Sequence, residues 1–577
     1  MSYEIREDGT YYNDLDGEQQ KLSNFSAQVT EEIIYLDGDR AEKTILTCEG
    51  LLNKAKLPAV RIDADKFASM NWVLEHWGVA PIIYPGGSHK DHLRTAIQST
   101  SKPKRTLIHT HTGWSNGNGD WKYLTAAGAI TAAGYDPLVK VELEKEVRRY
   151  AIVPGKQWKK GAKASLALLS ILPREVSFPS LAATLAPLHG ECDFAVHISG
   201  RTGTFKSEIA GILMSHFGPK FTARSLPGSW SSTANALEAQ SYRAKNALFA
   251  IDDFIPAGTS WQVKSYQKTA DQIIRGQGNQ AGRARMNDTS TLQETMYPRG
   301  CIFSTGEDIP EGHSVRGRML IIEISPDTVD PKMLKEAQSQ REFYSQGLAE
   351  YIKFLAEKLP AHQEWIVKRA EKIRDDHLGT GHSRTPSTIG RMIASLEHWL
   401  QWCGKIGVTD EATAKGLAKE AYETIVEAGE HQSALLEGAD PVQLFVQAII
   451  TVFDSQLAHA RTLRGTVPPW AHRLGWTVTE EEGIENYKAN GKTIAWIDWD
   501  KKELLLDHNF GLQLVKKSIP GGLPMTKLTL MKRLKDDGVL SRYDETRQRN
   551  TVRATADGQQ RQVLAISTLS LFGEESP

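Results

Sequence analysis

The sequence predicts an α/β protein of several domains, and three observations carry the prediction. Its 577 residues are 40% hydrophobic and 24% charged, enough apolar side chain for several cores at about 100–200 residues per domain. Between residues 190 and 330, strand-like apolar runs alternate with helical segments, the pattern of a parallel sheet covered by helices. Within it, "CDFAVHISG" runs into "RTGTFKSEIAGILMSHFG", so a strand, a tight turn and a helix follow in the order that builds a phosphate-binding turn.

Taken in order, residues 1–150 mix strand-like runs ("TILTCEG", "APIIYP", "RTLIHTHTGW") with turn clusters ("YPGGSHK", "WSNGNGDW"), which predicts an α+β domain. His109 and His111 alternate on one of these runs and so share a side. No third metal ligand accompanies them, and a structural role is expected. Residues 151–189 form a helical connector, with "GAKASLALLSIL" and "SLAATLAPL". Residues 190–330 form the parallel core. Residues 331–460 read as almost entirely helical, a lid beside that core. Residues 461–577 return to strands ("KTIAWIDWD", "KELLLD") around a compact helical stretch, a separate small domain.

Composition narrows the function. The net charge is −1, so no global field announces nucleic acid or membrane, and a polyanion would have to be met by local patches. The four cysteines, Cys48, Cys192, Cys301 and Cys403, are far apart. Their spacing argues against a zinc site or a disulfide framework and fits a reducing cytosol. The amino-terminal text is polar, and no run approaches the ~18 apolar residues of a membrane span. A soluble cytoplasmic protein is expected.

The loop Gly200-Arg201-Thr202-Gly203-Thr204-Phe205-Lys206-Ser207 follows G-x-x-x-x-G-K-[ST], except that Phe205 stands where the second glycine belongs. Phenylalanine can keep the loop's shape only with a negative φ and its ring turned from the nucleotide, so that conformation is expected. Lys206 would bridge the terminal phosphates of ATP, and Ser207 would ligate Mg2+. About forty-five positions later, "NALFAIDDF" ends an apolar strand in two acids. Asp252 would hold the magnesium shell and Asp253 would polarise the attacking water. Alone, these letters better suit a buried strand with a solvated acidic end; together with the loop they predict an NTPase.

"RGCIFSTGEDIP" is a further strand ending in polar residues. In AAA+ ATPases the strand between those carrying the two nucleotide motifs ends in a water-positioning side chain, and Thr305, or else Ser304, sits there. Arg316 and Arg318 precede another strand, where ring ATPases carry the arginine finger that reaches a neighbour's γ-phosphate. Arg391, or else Arg384, would touch the nucleotide from the helical lid. For each arginine a surface salt bridge is the plain alternative.

From "GRTGTFKSEIAGILMSHFG" through "GSWSSTANALEAQSYRAKNALFAIDDF", "IIRGQGNQAGRARM" and "STGEDIPEGHSVRGRMLIIEI", the chain resembles the ATPases of the domain of unknown function 927. Phages, plasmids and chromosomal islands carry these proteins, and several are regarded as MCM-like or superfamily-three-like replicative helicases. Loops of the form T-G-[ST]-F-K-[ST] occur in that family, so the resemblance implies a working loop. It also implies a P-loop AAA+ core and a homohexameric ring that hydrolyses ATP to translocate along DNA in replicating a mobile element.

In such ATPases a hairpin between the acidic strand and the next one projects into the ring pore. Arg283 and Arg285 flank the turn-prone region here and could meet DNA phosphates. "PMTKLTLMKRLKDDGVLSRYD" has the cadence of a winged helix, with Leu528, Met531 and Leu534 inward, Lys527, Lys532 and Arg533 available to DNA, and Gly538 as stop. Its wing would be "RQRNTVRATADGQQRQVLAIS". Two other functions suit the same residues: an ATP-gated loader that does not unwind, or a defence or scaffold protein with a vestigial ATPase.

Overall fold

The structure, a computed structural model, describes residues 2–573 except 17, 118, 257–258, 283–284, 287–291, 294, 327, 379–382, 438–439, 482, 520–522, 524–526 and 545–548. The chain divides into two compact units. The first holds residues 1–310, 318–379 and 383–429; the second holds 311–317, 380–382 and 430–577.

The first unit opens with a three-stranded antiparallel sheet, Ser2–Arg6, Gly9–Asn13, Gln19–Ser23, followed by a five-stranded sheet in the order Lys140–Val141, Lys104–His109, Phe25–Asp37, Arg40–Leu52, Ala55–Asp63. Leu93 and Ile97 of helix His89–Thr100 pack with Phe25, Trp72 and Trp77 in its core. The run "APIIYP" is no strand: Ile83 makes a single bridge to Ser23, because Pro81 and Pro85 cannot donate to a ladder. His111 is fully buried; its Nε2 accepts from the Gly38 N–H (2.8 Å) and its Nδ1 donates to the Thr112 carbonyl (2.6 Å). Burial holds its pKa down to about 3, so the ring is a neutral structural link. Among the described residues no cluster of three His, Cys, Asp or Glu is arranged to hold a metal.

Two connector helices, Trp158–Ile171 and Arg174–Leu185, lead to the central sheet. We number its elements β1 (Ala195–Ser199), α1 (Lys206–Met214), β2 (Gly228–Ser229), α2 (Ala234–Arg243), β3 (Leu248–Phe254), α3 (Ser260–Asn279), β4 (Cys301–Gly306) and β5 (Met319–Glu323). The strands are all parallel in the order β2-β3-β4-β1-β5. Every residue of β1 and β4 is buried, as expected of strands covered on both faces. All five strands run the same way, so their carboxyl ends share one edge. The phosphate-type loop, both acids and Thr305 lie there.

Helices Pro331–Ser339, Arg341–Glu357, Leu359–Asp376, Thr385–Lys405 and Glu411–Glu437 follow, as the texture of that region predicts. Helix Pro441–Asp454 belongs elsewhere: Val442, Phe445, Ile449 and Phe453 enter the core of the second unit. The second unit therefore takes in residues 430–460, which the sequence grouped with the helical lid.

The second unit is built on a sheet ordered Ala458–Thr462, Lys492–Asp498, Glu503–Asp507, Gln559–Ser567, Leu540–Arg542, with Val552–Ala556 also paired to Gln559–Ser567. That last pair is the expected hairpin, turning at Asp557 and Gly558, both at positive φ. Helix Lys527–Asp536 packs inward through Leu530, Met531 and Leu534 and stops before Gly538 at φ +71°. A helix and hairpin are thus present, set in a sheet of six strands that the sequence did not announce. All four cysteines are free and buried. Among the described residues no helix is long and apolar enough to cross a membrane.

Candidate nucleotide-binding site

The loop between β1 and α1 is held open by small residues. A Cβ on Gly200 would lie 2.5 Å from the Ile324 carbonyl oxygen, so the close approach of the backbone just past β5 admits only glycine. Gly203 takes φ +88°. Thr204 closes the turn, its Oγ1 donating to the Arg201 carbonyl at 2.9 Å. Helix α1 then starts because Ile209, Ile212 and Leu213 face the sheet and are buried.

Phe205 overturns the conformation expected of it. It lies at φ +63°, ψ +17°, the left-handed region, and its side chain is 36% exposed. The loop therefore keeps the backbone shape that a glycine would supply, at a cost of about 1–2 kcal/mol in steric strain. Phe205→Gly relieves that strain but adds unfolded-chain entropy worth about 0.5–1 kcal/mol. Its unfolding free energy, read by urea titration, is expected within about 1 kcal/mol of wild type, with ATP turnover retained. A loss above about 3 kcal/mol would mean that the ring, not the backbone, holds the loop.

Lys206 Nζ donates to the carbonyls of Gly200 and Arg201, both at 2.8 Å, and to Thr204 Oγ1 at 3.3 Å. Burial lowers its pKa, and the charges of Glu307, Asp253 and Asp252 oppose that shift. Beneath the loop, Asp252 Oδ1 accepts from Ser207 Oγ at 2.8 Å and from Thr305 Oγ1 at 2.5 Å. One carboxylate oxygen thereby ties together α1, β3 and β4.

Asp253 is turned by a bulge. The pairing of β3 with β4 shifts between Ile251 and Phe254, so two acids oppose one residue, and Asp253 takes φ +71°. Thr305 Oγ1 fixes the bulge by accepting the Asp253 N–H at 3.2 Å. Asp253 is exposed, yet its pKa is raised, first by desolvation and then by Asp252 and Glu307, with Lys206 pulling the other way. Strain of this kind gathers at functional positions.

Ser304 is excluded from the loop side because it is used inside the sheet. Trp230 Nε1 donates to Ser304 Oγ (2.9 Å), Ser304 donates to His197 Nδ1 (2.8 Å), and His197 Nε2 donates to the Asp308 carbonyl (2.9 Å). Burial holds the His197 pKa down to about 4, which keeps the ring neutral and the chain of donors directional. Ser304→Ala leaves two buried groups without a partner, and a loss of about 2–4 kcal/mol is expected in urea unfolding. A loss below about 1 kcal/mol would deny the chain its role.

That chain sets the backbone beside Glu307, a residue the sequence reading missed. Glu307 accepts from Thr202 Oγ1 across the mouth of the loop, and its charge acts on both Lys206 and Asp253. Its position two residues beyond Thr305, at the carboxyl edge of a parallel strand, is the signal that could have found it.

The arginines are placed at the other edge of the sheet or in the other unit. The Arg318 carbonyl accepts from Ala195 N (2.9 Å), at the amino ends of β1 and β5, and its Nη2 donates to Asn279 Oδ1 (2.9 Å). Arg384 donates to the Gly278 carbonyl beside it (2.6 Å). Arg391 is not brought to the loop: its guanidinium lies against Gly190, ahead of β1, where burial lowers its pKa against the charges of Cys192 and Asp193. The helix carrying it was legible, but not which end of the sheet it covers. Arg316 belongs to the second unit, where its carbonyl accepts from Gln432 at 2.8 Å.

Of the residues assigned to nucleic acid, Arg283 lies outside the described residues. Arg285 is on a two-residue strand, Arg285–Met286, that pairs antiparallel with Leu292–Gln293; the residues joining the two lie outside the described ones. Lys532 and Arg533 are exposed. Lys527 is held within its own unit, donating to the His508 carbonyl at 2.6 Å.

With this geometry in view, three comparisons bear on the chain. Residues 85–296 match the model of the family described as "Domain of unknown function (DUF927)". The match includes the loop and both acids. The SCCmec type IV Cch active helicase shares the overall fold at a TM-score of 0.51 and 12% identity, over 99% of this chain and 98% of that one. The apo C-terminal region of NrS-1 aligns at a TM-score of 0.23 and 11% identity, over 67% of this chain and 86% of that one, too slight to define a shared fold. No curated protein matches the sequence.

Proposed function

We propose that the protein is an ATP-dependent DNA helicase that works in replicating a mobile genetic element. The observation that carries this reading is the convergence on Asp252. A serine in the first turn of α1 and a threonine on the strand between β1 and β3 meet one carboxylate, with a lysine-bearing loop and a second acid beside it. This is the arrangement that phosphoryl transfer from a nucleotide to water requires. The shared fold with an active helicase and the family match support extending it to a motor of the AAA+ type, with the helical segments as lid and the second unit as a winged-helix-like domain.

Each residue has a task in this reading. Residues 200 to 207 cradle the phosphates with backbone N–H groups, and Lys206 exchanges its loop carbonyls for phosphate oxygens. Ser207 Oγ and Asp252 Oδ1, 2.8 Å apart, are hard oxygen donors that converge as Mg2+ ligation needs. A bound Mg2+ would supply charge neutralisation at the phosphates. Asp253 orients and deprotonates the water, and Thr305 fixes the bulge that aims it. Arg318, at the amino edge, cannot serve the loop of its own chain. Its use as a finger requires a second copy, which fits a homohexameric ring with DNA in its pore.

Strand displacement from a forked DNA by wild type and Lys206→Ala tests the proposal. ATP-dependent displacement by wild type and none by the variant is the expected result. ATP turnover without displacement on any fork would make the protein a loader or switch, and the helicase reading would fall.

A further inference from the structure

We propose that the outer face of α3 carrying Trp261, Lys264 and Lys268 is a contact for single-stranded DNA, in addition to the hairpin and second-unit residues above. The inference rests on the reading that DNA is a partner. The chain has fourteen tryptophans, and every one except Trp261 is buried or half-buried. Trp261 is 76% exposed. Lys264 and Lys268 follow it three and seven positions on, which puts all three side chains on one helical face within about 10 Å, and both lysines are exposed.

The face is built rather than incidental. Ala270, Ile273 and Ile274 bury the opposite side of α3 against the core. A reciprocal cap fixes its first turn: the Thr259 N–H donates to Gln262 Oε1 (2.8 Å), and Thr259 Oγ1 accepts from the Gln262 N–H (3.4 Å). Trp261 lies inside that turn, so its backbone is set before any partner arrives. No acid occurs on the helix before Asp271, and Asp271 is paired with Arg275 at 2.6 Å. Among the described residues neither Lys264 nor Lys268 enters an ion pair.

An exposed indole ahead of two free ammonium groups matches a base flanked by phosphates. The ring offers stacking that tolerates any sequence, and the lysines offer charge. Each nucleotide of single-stranded DNA presents a base and a phosphate together, so this partner uses both the ring and the lysines. The position also suits a motor. α3 begins at the carboxyl edge of the sheet, and only a short connection separates it from Asp253, so a strand moving on this face acts on the segment that holds the bulge.

The test is fluorescence anisotropy with a labelled thirty-base oligothymidine, using the full chain with Mg2+ and a non-hydrolysable ATP analogue. Trp261→Ala is expected to weaken binding by about 5- to 150-fold, the range of one base–aromatic stack. Trp261→Phe, which keeps a stacking face, should stay within about 3-fold of wild type. Lys264→Ala with Lys268→Ala should reduce the slope of log affinity against log salt by about 1.4. All variants should unfold at the wild-type temperature. Wild-type binding that Trp261→Ala leaves unchanged overturns this contact and spares the DNA reading. Loss of self-association in mass photometry, with affinity of the assembled fraction intact, also overturns it by making the face a contact between copies. Absence of any binding by wild type overturns the DNA reading and this contact with it.

Discussion

Lys206→Ala is expected to lower ATP turnover by at least about 10³-fold, the scale on which a cation at a transferring phosphoryl group acts. In the structure the ammonium already lies within the loop, bonded to two of its carbonyls. Three carboxylates act on it. An entering triphosphate therefore finds a cation whose position is preset, and alanine leaves no side chain that could take its place. The same change has a second sign. Lys206 now pulls the Asp253 pKa down against desolvation, so the variant's Asp253 should titrate higher still. Steady-state turnover with saturating Mg-ATP checks the first effect. A rate within tenfold of wild type would remove the loop from the chemistry.

Asp253→Asn should cost about 10² to 10⁴-fold in kcat, the usual contribution of a positioned base. The pH profile separates this from a packing defect. Asp253 must be ionised to accept a proton, and its pKa is raised above the ordinary 3.8 by desolvation and its acidic neighbours. Activity should therefore be present above that raised value and fall as pH drops through it, so the acid limb of kcat/KM lies above the ordinary aspartate range. In Asp253→Asn this limb should vanish. Stability has the opposite sign: the folded chain holds this proton more tightly than the unfolded chain, so ionisation costs stability above the raised pKa. The asparagine variant should accordingly unfold at the wild-type free energy or slightly above it. Retained activity, or an acid limb at the ordinary position, would assign the base elsewhere, with Glu307 the nearest candidate.

The elements of the site were legible in the sequence because their signals are local. β1 is mostly apolar and wholly buried, β3 opens on four apolar residues, α1 has its apolar face at helical spacing, and the acids end a strand. What lay hidden depends on tertiary geometry. The left-handed φ of Phe205 reflects a loop that must close over the end of β1, which no pattern of letters reports. The bulge at Asp253 exists because Thr305 accepts its N–H from a strand 52 positions away. The chain through Trp230, Ser304 and His197 joins residues 74 and 107 positions apart, and it decides that Thr305, not Ser304, faces Asp252. The place of Arg391 beside Gly190 was out of reach for the same reason: periodicity gives a helix its faces but not the end of the sheet it covers. The six-stranded sheet of the second unit was also out of reach, since its register pairs strands from residue 458 to residue 567.

A structure of the protein with Mg2+ and a non-hydrolysable ATP analogue tests the central claim most directly. The account predicts triphosphate oxygens among the backbone N–H groups of residues 203 to 207. Lys206 Nζ should be drawn from the Gly200 and Arg201 carbonyls to the phosphates, with Ser207 and Asp252 on the cation and a water beside Asp253. A nucleotide bound elsewhere, with Lys206 still closed on its own loop at saturation, would contradict it.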